Sequence, residues 1–576
     1  MDKRVLLASV VSMGVMLVVV AFFKKPEHKP AEQPAASAPA TANPDTAQAA
    51  QAKPDEKPAA DKKPENKDEK TEGPPAPPAP KAPAVETTIE QPKRYRGTFT
   101  SEGAAPSHWV LLDPQYKEDN PRESNKQAEP IDLIKTRVPN LPLVITFPSS
   151  AFNLPPDAVW NVAPVGSDGA ITYTWENETT RVTKRFVPLP GTYELKLTVT
   201  VENKSDKPAA HYFRMQMHTW HDPAIKPGGM FSRRVGQTAA ECLAGGKVKK
   251  GNLEELQKKP IEVRGDIAWV AVGEQYFLTA AALAKGPEEK VCNLGAAADG
   301  SMTSILTVGQ REVPAHGKTQ YDLAVFMGPK ILSQLDAVQV GGVSAKLGDI
   351  MEYGWGGLLE WLARPMLAVL KAFHWVVPNW GVAIIFLTIV LKALTWLPTQ
   401  KSMKSMKAMA KLKPEMDKLK ERFGDDKNAL NMATMELYKK HGVNPLGGCL
   451  PIAIQMPIYI ALYSMLGNSV ELYRSPFVFW IRDLTAADPY FVLPIVTGLL
   501  MFLQQITQPT PADSQQKTMM YITPVMYTAF SIFLPAGLTI YILTNTILTF
   551  LQQWLLKRGD DNPARPTKAV AKPARA

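Results

Sequence analysis

Cysteine is scarce in this chain. Cys242, Cys292 and Cys449 are spread over 576 residues, with no Cys-x-x-Cys pair and no Cys/His cluster. That excludes a metal or redox centre written in the sequence, and no cofactor is implied. Cys242 and Cys292 share the middle region; if it is exported they can pair, and otherwise two reduced thiols serve as well. The apolar segments contain no Ser/His pair and no His-Glu-x-x-His array, which speaks against a membrane-embedded hydrolase. No inverted repeat of the kind a transporter favours is evident. Val5 to Phe23 is apolar and lacks a small-x-small cleavage signature before Lys24-Lys25. An uncleaved anchor over residues 1–25 is therefore expected. Residues 26–92 in turn lack apolar side chains, being nearly all Pro, Ala, Lys, Glu, Asp, Thr and Gln. Such a stretch cannot bury a core and is expected to be a disordered tether.

What is present separates sharply along the chain. At 576 residues more than one domain is expected. Residues 93–345 look like an all-β sandwich with many short strands. From Thr192 to Val201 one face carries Tyr193, Leu195, Leu197, Val199 and Val201, and Asn203-Lys204-Ser205-Asp206 then supplies a turn. Ile171–Phe186, Ile267–Thr279 and Ser304–Val313 repeat the theme. The cluster His218-Thr219-Trp220-His221-Asp222 is the one place there with a catalytic look, and an ordinary loop explains it better. In 346–377, Leu358 to Trp375 is amphipathic: Glu360, Arg364, Lys371 and His374 share one stripe. That suits a helix lying in a membrane interface, and packing on the β-domain would suit it too.

Five apolar runs follow: 378–398, 445–466, 489–507, 518–534 and 536–556. The first is 21 residues, enough to cross a hydrocarbon core of about 30 Å. The last two are nearly continuous, and 39 residues would make a helix of about 58 Å. Pro535-Ala536-Gly537 breaks them into a tight hairpin of two spans. With the anchor this makes six spans. Thr399 to Asn444 carries 11 Lys/Arg against 6 acids and the tail 557–576 carries 6 against 2, while the loop 467–488 has two Arg and three acids. The positive-inside rule places the 399–444 loop and both termini in the cytoplasm and the β-domain outside.

Within 399–444 two helices are expected, Gln400–Phe423 and Asn428–His441, turning at Gly424-Asp425-Asp426. Met403, Met406, Met409 and Met416 offer a polarizable surface suited to varied apolar partners, or simply pack the hairpin. Lys404, Lys407 and Lys411 form either a solvated face or a charged contact for anionic lipids and ribosomal RNA. Lys392 is the single charge in 378–398. A cation at membrane depth is costly, so it either faces a polar cavity or snorkels to the headgroups.

Asn379-Trp380-Gly381, Asn444-Pro445-Leu446-Gly447-Gly448-Cys449, Gln455-Met456-Pro457, Asp488-Pro489-Tyr490 and Pro535-Ala536-Gly537-Leu538 punctuate the spans at regular intervals. In these motifs the chain resembles the YidC/Oxa/Alb family of membrane protein insertases, in its Gram-negative form with a large periplasmic domain. The resemblance implies a polytopic α-helical inner-membrane protein with a five-helix insertase core, and no enzymatic chemistry or small-molecule substrate. It implies a polar groove, open to cytoplasm and lipid but closed on the outer side, with Lys392 where bacterial members usually carry arginine. Thr388 lies one turn before Lys392 and would help keep the groove wet; Gln455 either does the same or bonds between helices. Tyr459 and Phe530 would line a hydrophobic slide. Nascent membrane proteins, the ribosome, Sec translocon components and anionic lipids are the implied partners. Removal of much of 93–345 is expected to leave insertion largely intact. A transporter and a periplasmic glycan-binding membrane protein are the alternative readings.

Overall fold

The computed structural model of the chain describes residues 83–117, 129–224, 238–351, 353, 359–424, 426–444, 450–507 and 514–560. The expected anchor, the tether as far as residue 82, the motif residues Pro445–Cys449 and the tail beyond 560 lie outside the described residues.

The β-domain is a sandwich of a nine-stranded and a five-stranded sheet, with a three-stranded sheet added at its start. Strand Glu194–Asn203 buries the face expected of it: Tyr193, Leu195, Leu197, Val199 and Val201 are all inside. Asn203 Oδ1 accepts from the Ser205 amide, closing the following turn. Ile171–Phe186 and Ile267–Thr279, read as single themes, are each split by a turn. The first becomes Ile171–Glu176 paired with Thr180–Pro188. The second becomes Ile267–Gly273 paired with Phe277–Leu283.

Two expectations need correction, and one alternative left open is decided. The tether does not reach residue 92: Glu86–Gln91 is a strand paired with Tyr95–Thr100, and Ile89 is buried. Composition hid it because main-chain pairing, rather than apolar side chains, holds an edge strand of this kind. His218, Thr219 and Trp220 are not a loop but the end of strand Ala209–Trp220. Cys242 and Cys292 are joined as a disulfide. Both are fully buried, and the bond crosses from strand Ala239–Ala244 of the nine-stranded sheet to strand Lys290–Ala296 of the five-stranded one.

Among the described residues eight long helices follow the β-domain: α1 (Glu360–Val376), α2 (Trp380–Lys411), α3 (Lys413–Phe423), α4 (Lys427–Lys440), α5 (Leu450–Asn468), α6 (Val492–Ile506), α7 (Ser514–Ser531) and α8 (Ala536–Asp560). Among the described residues α2 and α5 are long and apolar enough to cross a membrane, and α6 is apolar but shorter. The turn at Pro535 between α7 and α8 stands where the sequence placed it. α1 packs on α2 and α5, burying Ala363, Met366, Leu367 and Leu370. Its polar stripe is paired rather than free: Arg364 with Glu360, Lys371 with Glu471 at 2.6 Å, and His374 stacked on Trp380. Trp361 and Trp375 stay largely exposed.

The first arm expected at 400–423 is not one helix. α2 runs through Pro398 to Lys411, and a new helix begins at Lys413. A proline removes one donor and is tolerated where neighbours hold the helix. Pro414 restricts Lys413 and sits well in a first turn, so it restarts the chain there.

Candidate functional site: a polar seam between two helices

α2 starts at Asn379, whose side chain accepts from the Val382 amide. Thirteen residues on, Lys392 is only 7% exposed. Its ammonium donates to Thr549 Oγ1 on α8 at 2.7 Å. A hydroxyl accepts a hydrogen bond but supplies no counter-charge for a cation in an apolar bundle. Thr388 is buried on the same helix, its hydroxyl donating back to Ile384 O at 2.7 Å. Thr395 and Thr399 bond their own helix in the same way.

The facing wall comes from α8, and it was not singled out in the sequence. Thr546 and Gln552 are buried, and Gln552 Nε2 reaches Trp396 O of α2 at 3.3 Å. Thr549 caps Asn545 O, and Asn545 bonds the Tyr459 side chain of α5. The signal was legible: Asn545, Thr549 and Gln552 recur at helical spacing in an otherwise apolar run. Gln455 bonds the Tyr541 hydroxyl, so it joins α5 to α8. The hydroxyl of Tyr527 and the carbonyl oxygens of Gln552 and Gln553 are buried without a protein partner. Lys392 and Gln455 thus each bond a side chain of α8, Thr549 and Tyr541 respectively, while Thr388 turns back on its own helix.

Tyr459 and Phe530 sit differently from a lipid-facing surface. Both are partly buried against the core, and the Tyr459 ring meets Tyr541 edge to face at 5.5 Å. The exposed apolar side chains on those two helices are Leu450, Ile452 and Met456 of α5 and Tyr521, Ile522, Val525 and Met526 of α7. On the hairpin, Met403 is buried and Met406 and Met409 are half-buried, whereas Met432 and Met435 of α4 are exposed. Lys404 and Lys411 are exposed and Lys407 is half-buried. The methionine surface thus lies on the return arm, because α2 turns its own methionines inward as it leaves the bundle.

The family model described as "60Kd inner membrane protein" matches residues 372–563, and that described as "YidC periplasmic domain" matches 88–369. A protein named membrane protein insertase YidC from Nitrosococcus oceani is 37% identical over 76% of this chain and 80% of its own. Another of that name from Syntrophus aciditrophicus is 31% identical, covering 97% of this chain and all of its own length. A crystal structure described as active YidC insertase with its first transmembrane domain resolved aligns over 81% of this chain and 92% of its own, with 16% identity and a TM-score of 0.34. The sequence matches alone carry the assignment: this chain belongs to the YidC membrane protein insertase family.

Proposed function

We propose that the chain inserts nascent membrane proteins into the bacterial inner membrane, with its β-domain on the periplasmic face. The observation that carries this reading is Lys392, buried in an apolar bundle and held, among the described residues, by a hydroxyl, with buried polar groups on α8. Buried polar atoms without partners are expensive in a dry bundle and cheap in a hydrated one, so the seam reads as a wet groove. The mechanism is physical. A short polar or acidic flank of a client enters near Lys392 and loses less hydration than it would in bare lipid. The client's apolar segment rides the exposed side chains of α5 and α7, with Tyr459 and Phe530 behind them. Release follows once its backbone is helical and internally bonded. Six spans, cytoplasmic termini, and contacts with the ribosome, the Sec translocon and anionic lipids complete the proposal, supported by the loop charges.

The test is charge at residue 392. Lys392→Arg is expected to insert clients normally. Lys392→Glu should slow insertion of clients with acidic outer flanks by roughly tenfold, the effect of about 1.4 kcal/mol. Equal rates for Lys392→Glu and the parent on such clients would refute the electrostatic part of the mechanism.

A further inference from the structure

We propose that the β-domain holds closed the end of the helical bundle facing it, gripping the segment between α5 and α6 through Gln115 and Tyr473. These two are positioning residues for the groove, and the proposal rests on the groove reading above.

The segment at 469–491 has little regular structure beyond a 3-10 turn, Val470–Leu472. It is nevertheless well buried, with Val470, Leu472, Tyr473, Ile481 and Leu484 inside. It also touches the starts of three helices. Asn379, the N-cap of α2, donates its amide to Phe477 O at 3.0 Å. The Phe477 ring lies on Gly381, where a Cβ would come within 2.0 Å of it, so this seat requires glycine. The amides of Ala536 and Gly537, opening α8, donate to Ala486 O at 2.7 Å and Leu484 O at 2.9 Å. Asp488 accepts from Trp480 Nε1 and from the Leu493 amide in the first turn of α6. Because α2 and α8 are the two walls of the polar seam, a segment bonded to the start of both ends that seam on the β-domain side.

The β-domain holds this segment by its backbone. Gln115 Nε2 lies 2.7 Å from Tyr473 O, 3.0 Å from Glu471 O and 3.2 Å from Ser475 Oγ. The Tyr473 hydroxyl donates to Lys117 O at 2.8 Å, and its ring packs on Tyr276 and Phe277. Gln275 Nε2 reaches Gly467 O at 2.5 Å. Carbonyls of a 3-10 turn have few partners of their own, so an amide that satisfies two of them fixes the turn in place. Without this grip the segment keeps its bonds to the helix starts and the Lys371–Glu471 ion pair, and water gains a path to the seam.

The experiment uses the full-length protein in oriented membrane vesicles, in a Cys449→Ser background with Thr388→Cys as reporter. The grip is removed by Gln115→Leu with Tyr473→Phe. A membrane-impermeant maleimide is applied from the β-domain side, and trypsin nicking at the exposed Arg482 is followed in parallel. Retention of the Cys242–Cys292 disulfide on non-reducing gels shows that the β-domain still folds. The expected result is a several-fold rise in both labelling and nicking. Unchanged nicking and labelling in the double variant, while Phe477→Ala raises both, overturns the proposal. Increased nicking with the reporter unlabelled from either side of every variant supports the grip and counts against the groove.

Discussion

Two buried lysines in this protein show how differently one residue type can be held. Among the described residues Lys392 has one hydrogen-bond partner, the Thr549 hydroxyl. Lys184, fully buried in the β-domain, donates to Ala104 O at 2.6 Å and Leu143 O at 2.8 Å, and its ammonium faces Trp160 and Phe186. Ala104 and Leu143 both adopt left-handed backbone, at φ 47° and 66°. Side chains rarely accept such angles without local support. Lys184 thus ties two strained turns to one strand. Burial pushes its pKa down from 10.5 to about 7. Between these values the unfolded chain carries a proton that the folded one lacks. The burial cost is therefore full below pH 7, fades as pH rises, and is gone above 10.5. Relative to Lys184→Met, the parent should gain about 1.4 kcal/mol per pH unit across that window. Denaturant unfolding followed by tryptophan fluorescence measures this, and a pH-independent difference would show that the ammonium is not desolvated.

At the scale of elements, the hairpin α3–α4 is where function and packing diverge. Tyr438 of α4 donates to Met416 Sδ of α3 at 3.2 Å, so Met416 packs the hairpin together. Met432 and Met435, three residues apart on one face of α4, remain open to solvent. An adaptable apolar surface suits client segments of varied sequence. Met432→Ser with Met435→Ser should cut client insertion several-fold and leave salt-dependent ribosome co-sedimentation unchanged. Met406→Ser with Met409→Ser should instead lower stability more than insertion. Both pairs are read by insertion into vesicles alongside thermal unfolding. Equal insertion by the first pair and the parent would return the methionines to a packing role.

For the whole molecule, the Cys242–Cys292 bond closes a loop of 50 residues between the two sheets. Loop-closure entropy alone is worth about 4 kcal/mol at that length. Such a bond persists on the oxidising side of the membrane, consistent with an exported β-domain. Cys242→Ala with Cys292→Ala should lower the melting temperature of the β-domain by on the order of 10 °C. Because Gln115 and Tyr473 join that domain to the bundle, loosening it should also raise tryptic nicking at Arg482. Differential scanning calorimetry and the nicking assay on one sample test both; a large melting shift with no change in nicking would separate sheet stapling from the junction. The same junction bears on the expectation that insertion stays largely intact when much of 93–345 is removed: removal would bare the Tyr473 ring, now packed on Tyr276 and Phe277.

Much of this was readable from residue order, and the limits are physical. Periodicity of two exposed the buried face of Glu194–Asn203, and apolar length with Pro535-Ala536-Gly537 marked the final helical hairpin. A charge alone in an apolar run marked Lys392. These are local signals, set by which side chains prefer water and which backbone angles a residue permits. What faces Lys392 is not local. Thr549 lies 157 residues away, and only the packing of α8 on α2 brings it to 2.7 Å. The pairing of Cys242 with Cys292, the inward turn of Met403 and the grip of Gln115 on the loop before α6 belong to the same class. Each depends on contacts between segments far apart in the chain. Spacing along one helix or strand determines the face a residue occupies; only the assembled fold determines what that face meets.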